Sequence, residues 1–177
     1  SMTSLGGQVL RARAGGGAHL GDTPLRLTSD DGPSDLRLSA MPAYFWSQFR
    51  VRPELRRKIG ELRTTGSIAI ELALAASGAL QFAAFGSPRI WDVAAGLLIV
   101  KEAGGLALVC TDRRQWTPFT SFLTKGAGIP ANGDLRKWSA GLLVGAPATA
   151  EFVGKNLRPR GGLWRMMRRL RRWGRPR

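Results

Sequence analysis

A single carboxylate stands at the start of a strongly apolar segment, Trp91 to Gly105. Pro88 interrupts the chain before it, the apolar residues recur at helical spacing, and Gly104 follows them, so the sequence predicts one buried helix. Asp92 then lies at the helix start, where a carboxylate can cap backbone N–H groups. The same oxygen atoms could instead face a site and hold a metal ion. The segment alone leaves both roles open.

A second candidate site precedes another apolar segment. The run Thr64-Thr65-Gly66-Ser67 leads into 68–77, and Gly78 follows as a C-terminal stop. Backbone N–H groups at a helix start bind anions, and small hydroxyl residues with a glycine allow close approach. The helix start that follows Gly66 is therefore a candidate anion-binding site. Ser67 as a plain N-cap is an equally open interpretation.

The other reactive residue types form no comparable pattern. Asp30, Asp31 and Asp35 lie in a polar loop with a Gly-Pro pair, which favours a turn over a cation site. His19 is the only histidine and Cys110 the only cysteine. An internal disulfide framework and a cysteine-based zinc site are therefore excluded, and a serine or cysteine hydrolase is disfavoured.

The composition predicts one compact domain. The 177 residues include 44% hydrophobic residues, enough for a sizeable core. Of the net charge of +15, two thirds lies in residues 155–177, which hold ten Lys or Arg and no acid. The start does not resemble a signal peptide, and no stretch reaches the roughly 18 apolar residues of a membrane span. We expect a cytoplasmic protein that is at most peripheral to a membrane.

Strand-like and helix-like patterns alternate along the body, which predicts a layered α/β domain. An alternating run at 8–13, glycines at 15–17 and a second strand at 24–27 predict a hairpin. No Gly-Lys-Ser or Gly-Lys-Thr follows these glycines, so they are interpreted as turn residues rather than a phosphate cradle. Further strands are predicted at 36–40, 61–64, 80–85, 106–110 and 141–144, and helices at 68–77, within 91–105 and at 147–157.

Three regions follow from this organisation: a leader or tag remnant at 1–7, the α/β domain at 8–157 and a basic tail at 158–177. In the tail, apolar residues recur at helical spacing, at Leu163, Met166, Met167, Leu170 and Trp173. The positions between them hold Arg165, Arg168, Arg169, Arg171 and Arg172. The tail is therefore predicted to be a basic amphipathic helix. Such a helix can bind nucleic acid, lie on an anionic membrane or dock on the body, and disorder is a fourth interpretation.

Two stretches carry a family signature: Leu62-Arg63-Thr64-Thr65-Gly66-Ser67-Ile68-Ala69, and Trp91-Asp92-Val93-Ala94-Ala95-Gly96 with Glu102-Ala103-Gly104-Gly105. Together they resemble the inositol monophosphatase family. The segments 12–18, 76–80 and 141–146 fit the same family, so the resemblance covers about residues 8–157. The resemblance implies that the chain has the fold of the carboxy-terminal part of the family's five-layered αβαβα sandwich.

The resemblance also implies magnesium-dependent, lithium-sensitive hydrolysis of small phosphate monoesters. By matching positions, Asp92 corresponds to a magnesium ligand, and Gly66, Ser67 and Ile68 correspond to the helix start beside the substrate. Phe85 stands where inositol-cleaving members have a substrate-contacting glutamate. Magnesium requires several hard oxygen ligands to activate water and to neutralise a leaving oxygen.

The family takes its other ligands from a Glu-Glu segment and from an Asp-Pro-Ile/Leu-Asp-Gly-Thr/Ser motif, and this sequence contains neither. Asp31-Gly32 is no substitute, because Thr28 replaces the first aspartate and Pro33 follows the glycine. We therefore expect a catalytically incomplete chain whose magnesium binding depends on a complementary amino-terminal half. The alternative is a non-catalytic protein that binds nucleic acid or an anionic membrane through its tail. An uncovered apolar face predicts a homo-oligomer or the complementary half as partner.

Overall fold

The structure is a computed structural model, and it describes residues 9–27, 31–110, 115–123 and 133–160. The leader and the tail arginines lie outside the described residues: Arg165, Arg168, Arg169, Arg171 and Arg172. The amphipathic helix expected there therefore stays a prediction. In the part of the chain that is described, no helix combines the length and apolar character needed to cross a bilayer.

Strands and helices alternate along the described residues. The strands are β1 (Leu10–Arg13), β2 (Gly17–Leu20), β3 (Thr23–Leu25), β4 (Leu38–Ser39), β5 (Phe49–Val51), β6 (Glu61–Leu62), β7 (Phe82–Phe85), β8 (Leu106–Cys110), β9 (Thr117–Pro118), β10 (Gly141–Gly145) and β11 (Leu157–Pro159). The α-helices are α1 (Pro53–Arg56), α2 (Ile68–Ala76), α3 (Ile90–Glu102) and α4 (Pro147–Asn156), and 3-10 helices span Ala43–Ser47 and Leu135–Lys137. The predicted α/β class is confirmed.

The sheet β7-β10-β8-β9 is the centre of the fold, and each strand is antiparallel to its neighbours. Side chains alternate between its two faces. Ala83 and Phe85 point to a core shared with α2, α3 and the β1–β3 sheet. Phe82 and Leu143 point to a second core shared with α4, β5 and the 3-10 helix Ala43–Ser47. The described residues therefore form four layers, a small sheet, a helix pair, the central sheet and an outer helical layer.

The small amino-terminal sheet differs from the predicted hairpin. The strand after the glycine turn is β2, which pairs with β1 from Leu10↔Leu20 to Arg13↔Gly17. The strand predicted at 24–27 is present at 23–25, but it is the third strand of the sheet, because the prediction missed β2. Gly15 and Gly17 have φ values of 71° and 78°, which side-chain-bearing residues rarely adopt, and these values let the chain reverse within a few residues.

Glu102, the last residue of α3, joins the small sheet to the helix layer through hydrogen bonds. Its carboxylate accepts hydrogen bonds from the N–H groups of Gly15 and Gly17, each at 3.0 Å. The glycine-rich turn thus holds a carboxylate of the chain itself. The bond from Gly15 and then that from Gly17 lower the pKa of Glu102 below its ordinary value of 4.5.

We expect Glu102→Gln to lower the melting temperature at neutral pH and to have no effect in strong acid. A carboxyl group whose folded-state pKa is depressed stabilises the fold above its unfolded pKa, here 4.5. That contribution is lost as pH falls through the folded-state pKa. Thermal unfolding from neutral to strongly acidic pH measures it, with the exposed Glu151→Gln as matched control. A difference from the unsubstituted protein that persists in strong acid would contradict the assignment.

Gln81, just before β7, forms side-chain hydrogen bonds with residues that are distant in sequence. It is 1% exposed, and its side-chain oxygen accepts from the Ser34 N–H at 2.8 Å. Its amide nitrogen donates to the Ser34 carbonyl at 2.9 Å and to the Ser39 hydroxyl at 3.0 Å, and the Ile59 carbonyl lies at 3.3 Å. A buried polar group left without a partner costs about 1–3 kcal/mol. These hydrogen bonds therefore hold Ser34, Ser39 and Ile59 against the start of β7.

On the face of the central sheet that lies away from α2 and α3, β5 and β11 form an antiparallel ribbon. Phe49 of β5 is buried and stacks on Phe45, with ring centroids 4.3 Å apart. The guanidinium of Arg160 donates to the carbonyl of Trp46 at 3.0 Å and to that of Phe49 at 3.3 Å. The ribbon is thus firmly attached to the outer helical layer.

Candidate functional site

The starts of α2 and α3 lie at the same end of the molecule because the two helices run parallel. Leu27 lies against Gly78 and Gly105, the glycines that follow the two helices. Between the helix ends, Gly96 of α3 packs directly on Leu72 of α2. With the carboxyl ends together, the two amino-terminal ends must also be neighbours.

Tyr44 marks this shared amino-terminal end. It has a backbone hydrogen bond with Gly86, just before α3, and interacts electrostatically with Glu71 in the first turn of α2. Burial raises the pKa of Tyr44, the hydrogen bond with Gly86 opposes that rise, and the charge of Glu71 adds to it. The side chain still keeps 49% of its surface exposed. The two candidate sites predicted from the sequence therefore open on one surface.

The start of α2 is capped by its own residues. Ser67 is the N-cap, and its hydroxyl oxygen accepts from the N–H of Ile70 at 3.4 Å. The N-cap interpretation is thus confirmed. Gly66 is exposed, has φ +81°, and has no atom within 4 Å of a Cβ added there. An anion can therefore approach the N–H groups of Ile68 and Ala69, the first two residues of the helix. Phosphate binding by Gly66, Ser67 and Ile68 stays a prediction.

Glu71 is a buried carboxylate that sequence reasoning missed. It is 3% exposed, and Oε1 accepts from the N–H of Thr65 at 2.7 Å and from the Thr65 hydroxyl at 3.2 Å. It therefore holds the loop before α2 in shape. A signal existed in the sequence, because Glu71 is the one acid in the apolar run Ile68–Ala76 and directly precedes the core residue Leu72. A carboxylate in that position needs partners.

Asp92 lies at the third residue of α3 and not at its N-cap. The N-cap is Arg89, and Asp92 Oδ2 accepts from the Arg89 N–H at 3.3 Å. The capping role proposed from the sequence is thus present, from inside the first turn. The side chain is half-buried. Its role as a magnesium ligand stays a prediction.

Glu71 and Asp92 are acids in the first turns of α2 and α3. Within 9–27, 31–110, 115–123 and 133–160, no three His, Cys, Asp or Glu side chains converge as metal ligands would. Asp92 is bonded to Arg89, and Glu71 to Thr65. A magnesium ion that activates water needs several hard ligands held together. Asp92 offers one such ligand.

The other residues considered from the sequence lie elsewhere. His19 is on β2 opposite Arg11, and Cys110 is buried at the end of β8. Asp31 is exposed. Phe85, where the resemblance implies a glutamate in inositol-cleaving members, is 1% exposed and belongs to the core beneath α2 and α3. Phe85 therefore contributes packing.

The layered fold is that of inositol monophosphatases. The structure of inositol monophosphatase-II from Staphylococcus aureus MSSA476 matches with a TM-score of 0.59, covering 86% of this chain and 52% of that chain. The sequence identity is 20%, so this likeness shows the fold alone.

Sequence comparison then assigns the family. The inositol monophosphatase family model matches residues 3–145, and the chain belongs to this family. Inositol-1-monophosphatase of Rhizobium meliloti strain 1021 is 34% identical over 105 residues, which are 55% of this chain and 39% of that protein. The fructose-1,6-bisphosphatase/inositol-1-monophosphatase of Thermotoga maritima is 33% identical over 101 residues, 56% of this chain and 38% of that protein. The chain thus spans about two fifths of these curated relatives.

Proposed function

We propose that this chain is the phosphate-binding part of a magnesium-dependent phosphatase of small phosphate monoesters, and that it is catalytically incomplete by itself. The start of α2 would hold the substrate phosphate at Gly66, Ser67 and Ile68, and Asp92 would supply one metal ligand. The parallel packing of α2 and α3 is the observation that carries this proposal, because it brings both groups to one surface. The remaining ligands would come from outside the described residues.

The rim of this surface is apolar and exposed. Ile70 on α2 is 52% exposed and Trp91 on α3 is 65% exposed, and the exposed Ala94 and Ala95 continue the stripe along α3. Contiguous exposed apolar surface usually marks a protein interface. We infer that a complementary amino-terminal half, carrying the missing carboxylates, covers this rim. The alternative is that this rim mediates self-association of the chain.

Complementation tests the proposal. The chain alone with magnesium is expected to release no phosphate from small monoesters, and a family fragment that carries the Glu-Glu and Asp-Pro-Ile/Leu-Asp-Gly-Thr/Ser motifs is expected to restore turnover. In the mixture, Asp92→Asn should lower turnover at least about 100-fold, since even outer-shell partners of a metal contribute about 10–100-fold. Asp22→Asn, an exposed carboxylate on the hairpin, is the matched control.

Two results would overturn the proposal. Phosphate release by the chain alone that Asp92→Asn abolishes would show a complete site. Sedimentation provides the second test. We expect the chain and the fragment to form a one-to-one complex, and we expect Trp91→Lys to weaken that complex. A homo-oligomer that the fragment leaves unchanged would assign the apolar rim to self-association.

A further inference from the structure

The outer helical layer carries a concentration of exposed cations. We call this surface the arginine face, and it consists of Arg50, Arg52, Arg56, Arg57, Lys155 and Arg158, all exposed. The elements that carry it, β5, α1, α4 and β11, contain two acids, Glu54 and Glu151. The face lies across the central sheet from α2 and α3, so it is separate from the candidate phosphatase site.

The ribbon aligns two of these cations. Arg158 on β11 is directly opposite Arg50 on β5, and both are exposed while their neighbours Phe49 and Val51 are buried. Side chains directly opposite one another start about 4.5–5.5 Å apart, where like charges destabilise the strand pair. The helix α1 follows β5 and packs against α4, which places Arg56 and the end of α4 beside the ribbon. The face therefore concentrates positive charge at a cost to stability.

The charges of the arginine face are not neutralised within the described residues. The ion pairs found there join Arg11 to Asp22, Arg63 to Glu61 and Lys137 to Asp134. None of them uses a residue of the arginine face. These cations are thus available to an external polyanion.

We propose that the arginine face binds nucleic acid through its phosphates. Arginine binds phosphate oxygens with two parallel hydrogen bonds, and five of the six cations are arginines. An anionic membrane is the less suitable partner, because stable attachment to a membrane combines basic residues with apolar insertion. Among the described residues, the large apolar side chains that are exposed lie outside β5, α1, α4 and β11. Because contacts to phosphates carry no sequence information, we expect this binding to be independent of base sequence.

Anisotropy titrations of the full chain with a labelled single-stranded RNA test this proposal. We expect the Arg50→Ala/Arg158→Ala variant to bind about tenfold more weakly at low salt. The slope of log affinity against log salt should fall by about 1.4, since each single-strand phosphate contact contributes about 0.7. The matched control is Arg13→Ala/Arg26→Ala, which removes the same charge from exposed positions near the hairpin. It should change the affinity less than twofold. A single cooperative thermal transition in each variant shows that both retain the fold.

Three outcomes would overturn the proposal. An equal loss of affinity in both double variants would show that net charge alone attracts RNA. RNA binding that is unaffected by Arg50→Ala/Arg158→Ala and lost on deletion of 161–177 would assign it to the tail. Phosphatidylserine vesicles that bind through Arg50 and Arg158, with no binding of RNA, would identify a membrane surface instead.

Discussion

Replacing Gly60 with alanine is expected to destabilise the protein strongly. An added Cβ would lie 1.9 Å from the carbonyl oxygen of Arg37 and 3.0 Å from the amide nitrogen of Gln81. The Arg37 oxygen is a backbone atom that accepts from the Glu61 N–H at 3.1 Å, so it cannot rotate away. The φ of +67° adds a further cost of about 1–2 kcal/mol. We expect a loss of at least about 4 kcal/mol, a large part of a typical stability of about 5–15 kcal/mol.

The matched control is Gly21→Ala. Gly21 has a similar φ of +59°, but no atom lies within 4 Å of an added Cβ. Its substitution should therefore cost about 1–2 kcal/mol, the penalty of the left-handed backbone alone. Denaturant unfolding of the two variants compares them directly. Equal midpoints would show that the contact between Gly60 and Arg37 does not constrain the fold.

Gly96→Ala is expected to destabilise the protein although alanine is the better helix former. The new Cβ would lie 2.5 Å from Leu72 Cδ1 and 2.7 Å from Leu72 Cβ. The Cδ1 atom can rotate away, whereas the Cβ atom can move only with α2 itself. Overpacking costs about 1–3 kcal/mol or more, against a gain in helix propensity of about 1 kcal/mol. We expect a net loss of about 2 kcal/mol.

Ala95→Gly is the reverse change at an exposed position of the same helix and should cost about 1 kcal/mol through propensity. The two substitutions therefore both destabilise, although their propensity effects are opposite in sign. Because Gly96→Ala pushes α2 away from α3, it should also weaken turnover in the complementation assay. A Gly96→Ala variant more stable than the unsubstituted protein would contradict the close packing of these helices.

Local signals in the sequence predicted the helices well. The helix predicted within 91–105 is α3, at Ile90–Glu102, and the helix predicted at 68–77 is α2, at Ile68–Ala76. Gly78 follows α2 in a left-handed conformation. Strand β8 coincides with the predicted 106–110. Hydrophobic periodicity, capping residues and glycine stops are contained within a few turns of chain, so one sequence suffices to recognise them.

Interactions between distant residues were not predictable in this way. Glu102 bonds to glycines 85 and 87 residues away, and Gln81 bonds to Ser34 across 47 residues. Nothing local to Glu102 or Gln81 identifies such partners. The start of α3 at Ile90, and with it the position of Asp92, depends on the extended backbone of Arg89, which capping preferences did not indicate. The candidate surface was predictable residue by residue, but its assembly depends on the parallel packing of two helices.

The order of the central sheet has a consequence for biosynthesis. Strands β7 and β8 each pair with β10, which lies between them in space although it comes last of the four in sequence. A ribosome therefore completes both outer partners well before the strand that joins them. Until residues 141–145 emerge, β7 and β8 present unpaired edges and neither core can close. Such a late, long-range closure is slow and exposes the nascent chain to aggregation.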